Sequence, residues 1–179
     1  KYTATSDPDA TVPHGLGVAP EMVFYKWGSS AWYCWTTVID GSNDRLVLDR
    51  TDAKTTVSAT YGSFTSSFIR GIDVSTGIIA YCFASKPSFS KVGIYTGNGN
   101  ADGPMVNTGF KPAWLMIKNT SNAQDWILFD NKRDPFNVTQ QFLYPNLTNA
   151  EAAGGAGVID LLSNGFKLRN AGTRNRNYN

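Results

Sequence analysis

Residues Ile94–Lys118 read IYTGNGNADGPMVNTGFKPAWLMIK, and the same order of features occurs once more in the chain. Tyr2–Lys26 reads YTATSDPDATVPHGLGVAPEMVFYK. Each stretch begins with Tyr-Thr, crosses a turn-rich segment to a proline, and ends with a largely apolar run that a lysine closes. Self-similarity within a chain indicates a duplicated unit. We therefore predict two similar halves, residues 1–85 and residues 86–179.

Both halves contain short β-branched and aromatic runs separated by turn-forming residues, a pattern typical of strands. The runs are Ala31–Ile39, Ser67–Val74, Gly77–Ala84, Ala113–Lys118 and Asp125–Asp130. Leu147–Leu162 is the one helix candidate, and its paired glycines, each costing about 1 kcal/mol in a helix interior, limit it to a short turn. The connection Lys86–Ser90 is too short for a free linker, so we expect the halves to pack as one β domain. The chain is predicted to be all-β, a β-sandwich with little helix.

Alignment of the two halves leaves one strand of the first half without a counterpart. The alignment matches Trp35 with Phe129. It also matches Leu46–Leu48 with Phe142–Tyr144. The first half then ends on the apolar run Gly77–Ala84, whereas the second ends on NAGTRNRNYN. Because an open strand position exposes backbone donors and acceptors, we expect the second half to lack its last strand, which a continuation of the chain or another segment would supply.

The composition excludes several classes of protein. Apolar residues make up 41% of the chain and charged residues 17%, which indicates a folded chain with a core. The net charge of +2 is too small to indicate binding of nucleic acid. No apolar run approaches the roughly 20 residues that a membrane span requires. We therefore predict no nucleic-acid partner and no membrane insertion.

The two cysteines, Cys34 and Cys82, lie within apolar strand-like runs. Such positions favour buried free thiols over a disulfide, although a disulfide stays possible. With a single histidine, His14, the chain cannot form a histidine-rich metal site. Neither cysteine has the spaced Cys and His partners that a zinc site needs.

Two loops carry enough oxygen ligands to be weighed as calcium sites. The side chains are Asp40, Asn43 and Asp44 in the first loop, and Asp130, Asn131 and Asp134 in the second. Neither loop has the DxDxDG spacing of a calcium-binding loop, and turn formation explains the same residues. We therefore predict no metal and no other cofactor.

Catalytic motifs are incomplete. The segment Gly97–Gly99 lacks the Gly-Lys-Ser/Thr that follows in a phosphate-binding loop. A Ser-His-Asp triad would have to use His14, and no Gly-x-Ser-x-Gly elbow accompanies it. The carboxylates are few and lie mostly in turns, which gives no support to a glycosidase pair. We predict that the chain is not an enzyme.

Five tryptophans could either fill the core or offer flat surfaces on which sugar rings stack; they are Trp27, Trp32, Trp35, Trp114 and Trp126. The spacing of three between Trp32 and Trp35 places their rings on opposite faces of a strand, so one of them lies inside. Trp27 lies at a strand end, where a ring can be exposed. Trp27 and Trp35 are the candidate ligand-binding residues, with a core position as the alternative for each.

The strings YTGNGNADGPMVNTGFKPAWLMIKN, DWILFDNKRDPFN, FLYPNLTNAEA and DLLSNGFKLRN resemble a two-copy virion domain of tailed bacteriophages, which is usually described as a tail fibre or structural protein. HGLGVAPEMVFYK and IIAYCFA extend the resemblance into the first half, so that it covers nearly the whole chain. The resemblance implies a jelly-roll or concanavalin A-like sandwich. It supplies no catalytic residues.

The resemblance also implies a function and a location. The expected role is structural, in a tail fibre or other surface appendage of the virion, with other virion proteins as partners. Contact with the host surface, including a surface glycan, would follow from that position. A homo-oligomer is expected, with a trimer favoured. The alternatives are a free-standing carbohydrate-binding lectin domain, a glycan-degrading enzyme and a capsid decoration protein.

Overall fold

The computed structural model describes residues 2–3, 11–58, 63–70, 77–153 and 158–171, and regular structure in these ranges is entirely β. The prediction of an all-β chain is therefore confirmed. No helix in the same ranges is long and apolar enough to cross a membrane. The strands are β1 Tyr2–Thr3, β2 Thr11–Pro13, β3 Met22–Trp27, β4 Tyr33–Thr36, β5 Asp44–Val47, β6 Thr55–Thr56, β7 Ser63–Phe64, β8 Phe68–Arg70, β9 Gly77–Phe83, β10 Met105–Asn107, β11 Trp114–Ile117, β12 Ile127–Asp130, β13 Gln141–Phe142, β14 Ala152–Ala153, β15 Ile159–Leu162 and β16 Gly165–Leu168.

The chain divides into two compact units, and all of its described strand pairs are antiparallel. Unit 1 comprises Lys1–Lys86 and Lys91–Ile94, and unit 2 comprises Pro87–Ser90 and Tyr95–Asn179. Unit 1 contains a six-stranded sheet in the order β1-β9-β3-β4-β5-β6 and a three-stranded sheet in the order β2-β8-β7. Unit 2 contains the sheets β10-β16-β15, β11-β12 and β13-β14.

The core of unit 1 lies on one face of its six-stranded sheet. Alternate residues of a strand share a face, and here the buried face carries Tyr25 of β3, Trp35 of β4 and Ile78 of β9. Phe64 of β7 packs against this cluster, with its ring centroid 6.2 Å from that of Trp35. The contact brings the three-stranded sheet onto the six-stranded sheet, so apolar burial on this face holds the layers of unit 1 together.

Unit 2 buries a larger apolar cluster. Phe129 of β12 and Phe142 of β13 are both fully buried, and their ring centroids lie 6.0 Å apart. The remaining buried members come from β11, β12 and the β15–β16 hairpin with its preceding residue; they are Ile117, Ile127, Val158, Ile159, Leu161, Phe166 and Leu168. Reciprocal hydrogen bonds of 3.0 Å between the backbones of Leu128 and Leu143 extend β12 onto the segment that carries Phe142.

The strand register agrees with one match of the sequence alignment and corrects another. Trp35 of β4 pairs with Val23 of β3, and Phe129 of β12 pairs with Leu115 of β11 at the equivalent position. Leu46 of β5 pairs with Cys34 of β4. In unit 2, Leu143 pairs with Leu128, which is the counterpart of Cys34. The match of Leu46 with Phe142 was therefore wrong by one residue. The connection that precedes this strand in unit 2 is one residue longer than the alignment assumed.

The expected helical turn is absent from the described part of Leu147–Leu162. Ala152 pairs with Phe142, and strand β15 begins at Ile159. Residues 154–157, which include the paired glycines, lie outside the described ranges. Pairing with a buried strand therefore outweighs the weak helical preference of this alanine-containing segment.

Gly165 provides a test of how closely β16 packs beside β10. A Cβ atom at Gly165 would lie 2.0 Å from the backbone carbonyl oxygen of Val106, a contact that forces the two strands apart. We expect Gly165→Ala to lower the free energy of unfolding by about 3 kcal/mol or more, because backbone cannot yield as a side chain can. Urea unfolding followed by circular dichroism measures this loss.

Gly93→Ala is the matched control, because a Cβ atom there would meet only Lys91 Cε at 3.9 Å. We expect its free energy of unfolding to lie within about 0.5 kcal/mol of the parent chain. Equal stability of the two variants would contradict the packing described for β16.

Candidate binding surface

Large apolar side chains of β9 are exposed on the face of the six-stranded sheet that is opposite the core. Ile79 is 38% exposed, Tyr81 53% and Phe83 44%, whereas Ile78 of the same strand is fully buried. The three exposed residues alternate along the strand, and so they share one face. These side chains stay exposed in the folded strand because the other face of β9 packs into the core.

Side chains of β3 and of the residue before β4 extend this surface. The Trp32 ring stacks against Tyr81, with centroids 6.1 Å apart and planes inclined by 29°. Phe24 meets Phe83 edge to face at 5.9 Å. The Lys26 ammonium lies 5.7 Å from the centre of the Trp32 ring, within the range of a cation–π contact. We call this surface the outer aromatic face; its residues are Phe24, Lys26, Trp32, Ile79, Tyr81 and Phe83.

The outer aromatic face is exposed only along β9. Toward β4 and β5 the same face of the sheet is enclosed, since Cys34 is fully buried and Leu46 is 5% exposed. Aromatic rings combine a large apolar area with a preferred geometry of contact, and exposed clusters of them mark interaction sites. The arrangement suits a flat apolar ligand surface better than it suits chemistry on a reacting atom.

The two tryptophans predicted as ligand contacts lie on the opposite, core-facing side of the sheet. Trp35 is 4% exposed, and its ring centroid lies 4.5 Å from that of Tyr25. Its ring is therefore enclosed, and its assignment as a ligand contact is corrected to a core position. Trp27 is half-buried and nearly parallel to Tyr33, with centroids 5.1 Å apart. For Trp27 a ligand role stays a prediction.

The expectation that Trp32 and Trp35 occupy opposite faces is confirmed, because Trp32 contacts Tyr81 on the outer face. Sequence reasoning missed Tyr81 and Phe83, because Gly77–Ala84 is apolar almost throughout and such a run is typical of a central strand. A usable signal was present. The larger residues stand at 79, 81 and 83, and the smaller ones stand between them.

The first candidate calcium loop contains a cation of its own. Lys54 Nζ lies 3.0 and 3.1 Å from the carboxylate oxygens of the fully buried Asp44, and 2.5 Å from Asp40 Oδ2. The Thr56 hydroxyl donates to Asp44 at 2.8 Å. The hydrogen bond from Lys54 holds the pKa of Asp40 well below its usual range, and the same bond raises the pKa of Lys54. The ammonium thus occupies the position that a bound cation would take.

The carboxylates of the second candidate calcium loop also accept hydrogen bonds from groups of the protein. Asp130 accepts hydrogen bonds from the backbone N–H groups of Lys132 and Arg133 and, at 2.7 Å, from Arg133 Nε. Burial raises the pKa of Asp130, but these hydrogen bonds outweigh it and the net change is downward. Asp134 accepts the backbone N–H groups of Gln140 and Gln141, both at 2.6 Å. In the described ranges no group of three or more His, Cys, Asp or Glu side chains converges as a metal site would.

Three further side chains of unit 1 that could be reactive, His14, Cys34 and Cys82, are hydrogen-bonded, buried or half-buried. His14 Nε2 donates to the carbonyl oxygen of Thr65 at 3.0 Å, and Nδ1 accepts the N–H of Leu16 at 3.1 Å. Both cysteines are free, as predicted, with Cys34 fully buried and Cys82 half-buried. Burial raises the pKa of both thiols, which makes them poor nucleophiles.

The sequence pattern of a family described as a domain of unknown function, DUF7483, matches residues 1–178. The chain belongs to the DUF7483 family. No curated protein and no solved structure matches the chain. Any function of this DUF7483 domain must therefore be argued from its own side chains, and its most distinctive exposed feature is the outer aromatic face.

The Lys54 ion pair yields a test in this DUF7483 domain. We expect Lys54→Met to lower the melting temperature by several degrees at neutral pH, because it leaves the buried Asp44 carboxylate without its cation. The loss should shrink as the pH falls below about 4. The pKa of Asp40 is lower in the folded than in the unfolded chain, so its contribution is present above the unfolded value and disappears in acid. Differential scanning calorimetry between pH 3 and pH 7 measures both effects.

Arg50→Met is the control for the Lys54 variant. Arg50 Nη1 lies 4.0 Å from Asp52 Oδ2, and both side chains are more than half exposed. Exposed ion pairs contribute little, so this variant should melt with the parent chain at every pH. If Lys54→Met behaved in the same way, the ammonium would not be what neutralises Asp44.

Proposed function

We propose that this DUF7483 domain is a structural part of a tailed-bacteriophage virion, in a tail fibre or other surface appendage. The sequence resemblance, which covers nearly the whole chain, supports the proposal. The same resemblance supports a jelly-roll or concanavalin A-like sandwich built from two similar halves. Other virion proteins would be its partners in assembly, and its place would be on the particle surface.

The chemistry of the side chains supports a binding role over catalysis. In the described ranges the aspartates of both candidate calcium loops are hydrogen-bonded within the protein. The only histidine is held through both ring nitrogens. The outer aromatic face, in contrast, is exposed along β9. An exposed apolar surface of this kind acts by binding another molecule.

The observation that carries the host-contact part of the proposal is the exposed Tyr81 stacked on the half-buried Trp32, with Lys26 beside the tryptophan ring. Aromatic faces suit the C–H surfaces of sugar rings, and an ammonium group can donate to sugar hydroxyls or to acidic sugars. We infer that the outer aromatic face contacts a glycan of the host surface. A free-standing lectin domain would use the same surface, and the two differ in whether the protein is incorporated into the particle.

Location on the virion is tested with purified particles of a phage that encodes this chain. Mass spectrometry of the particles should detect the protein, and immunogold labelling should place it on the tail or its appendages. Absence from the particles would remove the structural proposal and leave the lectin alternative. Gold on the head would assign the chain to capsid decoration.

Glycan contact is tested by binding of the fluorescent domain to host cells. We expect Tyr81→Ala to weaken binding about two- to tenfold, because the loss of one ring-stacking contact costs on the order of 0.5–1.5 kcal/mol. Phe136→Ala is the matched control, since Phe136 is an aromatic side chain that is 82% exposed and lies outside the outer aromatic face. Equal binding by the two variants would show that the outer aromatic face is not the contact surface.

The oligomeric state is a separate expectation of the proposal. Fibre-like virion proteins are expected as homo-oligomers, and we favour a trimer of the 19.5 kDa chain. Light scattering coupled to size-exclusion chromatography at micromolar concentration measures the mass directly. A monomer would contradict self-association of the isolated chain.

A further inference from the structure

The outer aromatic face contains one side chain that carries a full charge at neutral pH, that of Lys26. The backbone of Lys26 pairs with Ile79 of β9, and Phe24, two positions earlier in β3, pairs with Tyr81. The Lys26 side chain is half-buried. An ammonium group therefore lies within a surface that is otherwise apolar and aromatic.

The Lys26 ammonium has no carboxylate partner in the described ranges. The carboxylate nearest to it in sequence belongs to Glu21, which accepts hydrogen bonds from the N–H and the hydroxyl of Ser85. The ion pairs in these ranges use the other basic residues Arg50, Lys54, Arg133, Lys167 and Arg169. Lys26 instead contacts the Trp32 ring, 5.7 Å from its centre. Because an ammonium has three N–H donors, this contact leaves donors available to a ligand.

A ligand that covers the outer aromatic face changes the surroundings of this ammonium. Stacking on Tyr81 displaces water from the aromatic surface, and the half-buried Lys26 loses part of its hydration as well. A charge that loses water without gaining a partner costs free energy, whereas an opposite charge on the ligand offsets that cost. The face therefore favours an anionic ligand over a neutral one of the same shape.

Trp32 connects the exposed stacking surface to the charge. Its ring stacks on Tyr81, with centroids 6.1 Å apart, and the same ring contacts the Lys26 ammonium. A hexuronic acid carries its carboxylate directly on a ring carbon, at the side of the sugar ring and not on its C–H faces. Such a sugar can therefore stack on Tyr81 and pair with Lys26 at the same time.

We propose that the glycan bound by the outer aromatic face is acidic, and that a hexuronic acid stacks on Tyr81 while its carboxylate accepts hydrogen bonds from the Lys26 ammonium. This inference rests on the proposed glycan contact and names the class of sugar. A carboxylate matches the single charge of Lys26. Phosphate groups, in contrast, are favoured by the planar fork of arginine, and the six residues of the outer aromatic face include no arginine. Lys26 thus determines specificity, and Tyr81 supplies the stacking that neutral and acidic sugars share.

The test uses the full chain and the surface polysaccharide purified from the host cells to which the domain binds. One portion is kept native. In the other, every hexuronic acid carboxylate is reduced to a primary alcohol, which leaves the linkages and the other hydroxyls unchanged. We expect the native form to bind about tenfold more tightly in biolayer interferometry, because reduction removes a charged hydrogen-bond partner. Added salt should weaken binding of the native form and leave binding of the reduced form nearly unchanged.

Substitutions assign this preference to Lys26. Lys26→Gln removes the charge, and we expect it to weaken binding of the native form about tenfold without changing binding of the reduced form. Lys26→Arg keeps the charge and should keep the preference for the native form. Lys91→Gln is the matched control, because Lys91 is exposed, lies outside the outer aromatic face, and changes the net charge by the same amount. It should bind both forms as the parent chain does.

The two forms of the polysaccharide distinguish failure of this inference from failure of the glycan proposal. Equal binding of both forms by the parent chain would overturn the inference and leave the glycan contact in place. No binding of either form would remove both. Equal weakening of the two forms by Lys26→Gln would show that the lysine supports the aromatic surface without pairing with the ligand. Equal weakening by Lys26→Gln and Lys91→Gln would show general charge attraction, and either result would overturn the inference.

Discussion

Strand β3 is hydrogen-bonded along both edges, and the organisation of unit 1 follows from this double pairing. A strand held between two neighbours cannot turn about its axis, so the alternation of its side chains determines which residues enter the core. Tyr25 points inward to the aromatic cluster, and Phe24 points to the outer aromatic face. The core and the proposed contact surface are therefore two consequences of one set of backbone hydrogen bonds.

Unit 2 contains the equivalent hairpin β11–β12, but the side chains at its corresponding positions differ in type and in burial. Its core draws on the fully buried Phe129 and Phe142, whereas unit 1 places Trp35 and the half-buried Arg45 at the corresponding positions. The Arg45 guanidinium lies 5.1 Å from the centre of the Tyr33 ring. The two units therefore combine equivalent backbone pairing with different side-chain packing. Unit 2 has a core of aliphatic and phenyl side chains, whereas unit 1 has stacked aromatic rings with an arginine beside them. The duplication inferred from the sequence stays an interpretation, and the common register supports it.

Sequence patterns predicted the strands and the opposite faces of Trp32 and Trp35, because both follow from the two-residue period of a strand. They placed Leu46 one residue away from its true counterpart, since the length of a connection cannot be derived from periodicity. The engagement of Asp44 by Lys54 was missed for a related reason: the lysine lies ten residues further along the chain, and only folding of β6 beside β5 brings it back. The exposure of Tyr81 depends on what covers a sheet face, which composition does not encode.

The ammonium between Asp40 and Asp44 has a consequence for the environments in which the fold can operate. A loop that recruits a metal ion from solution gains stability only in proportion to the free ion concentration. A cation attached through the chain is present at a fixed local concentration, set by the short connection rather than by the medium. The charges of Asp40 and Asp44 are therefore neutralised from within the chain, and chelating agents or a calcium-poor medium would leave this ion pair in place.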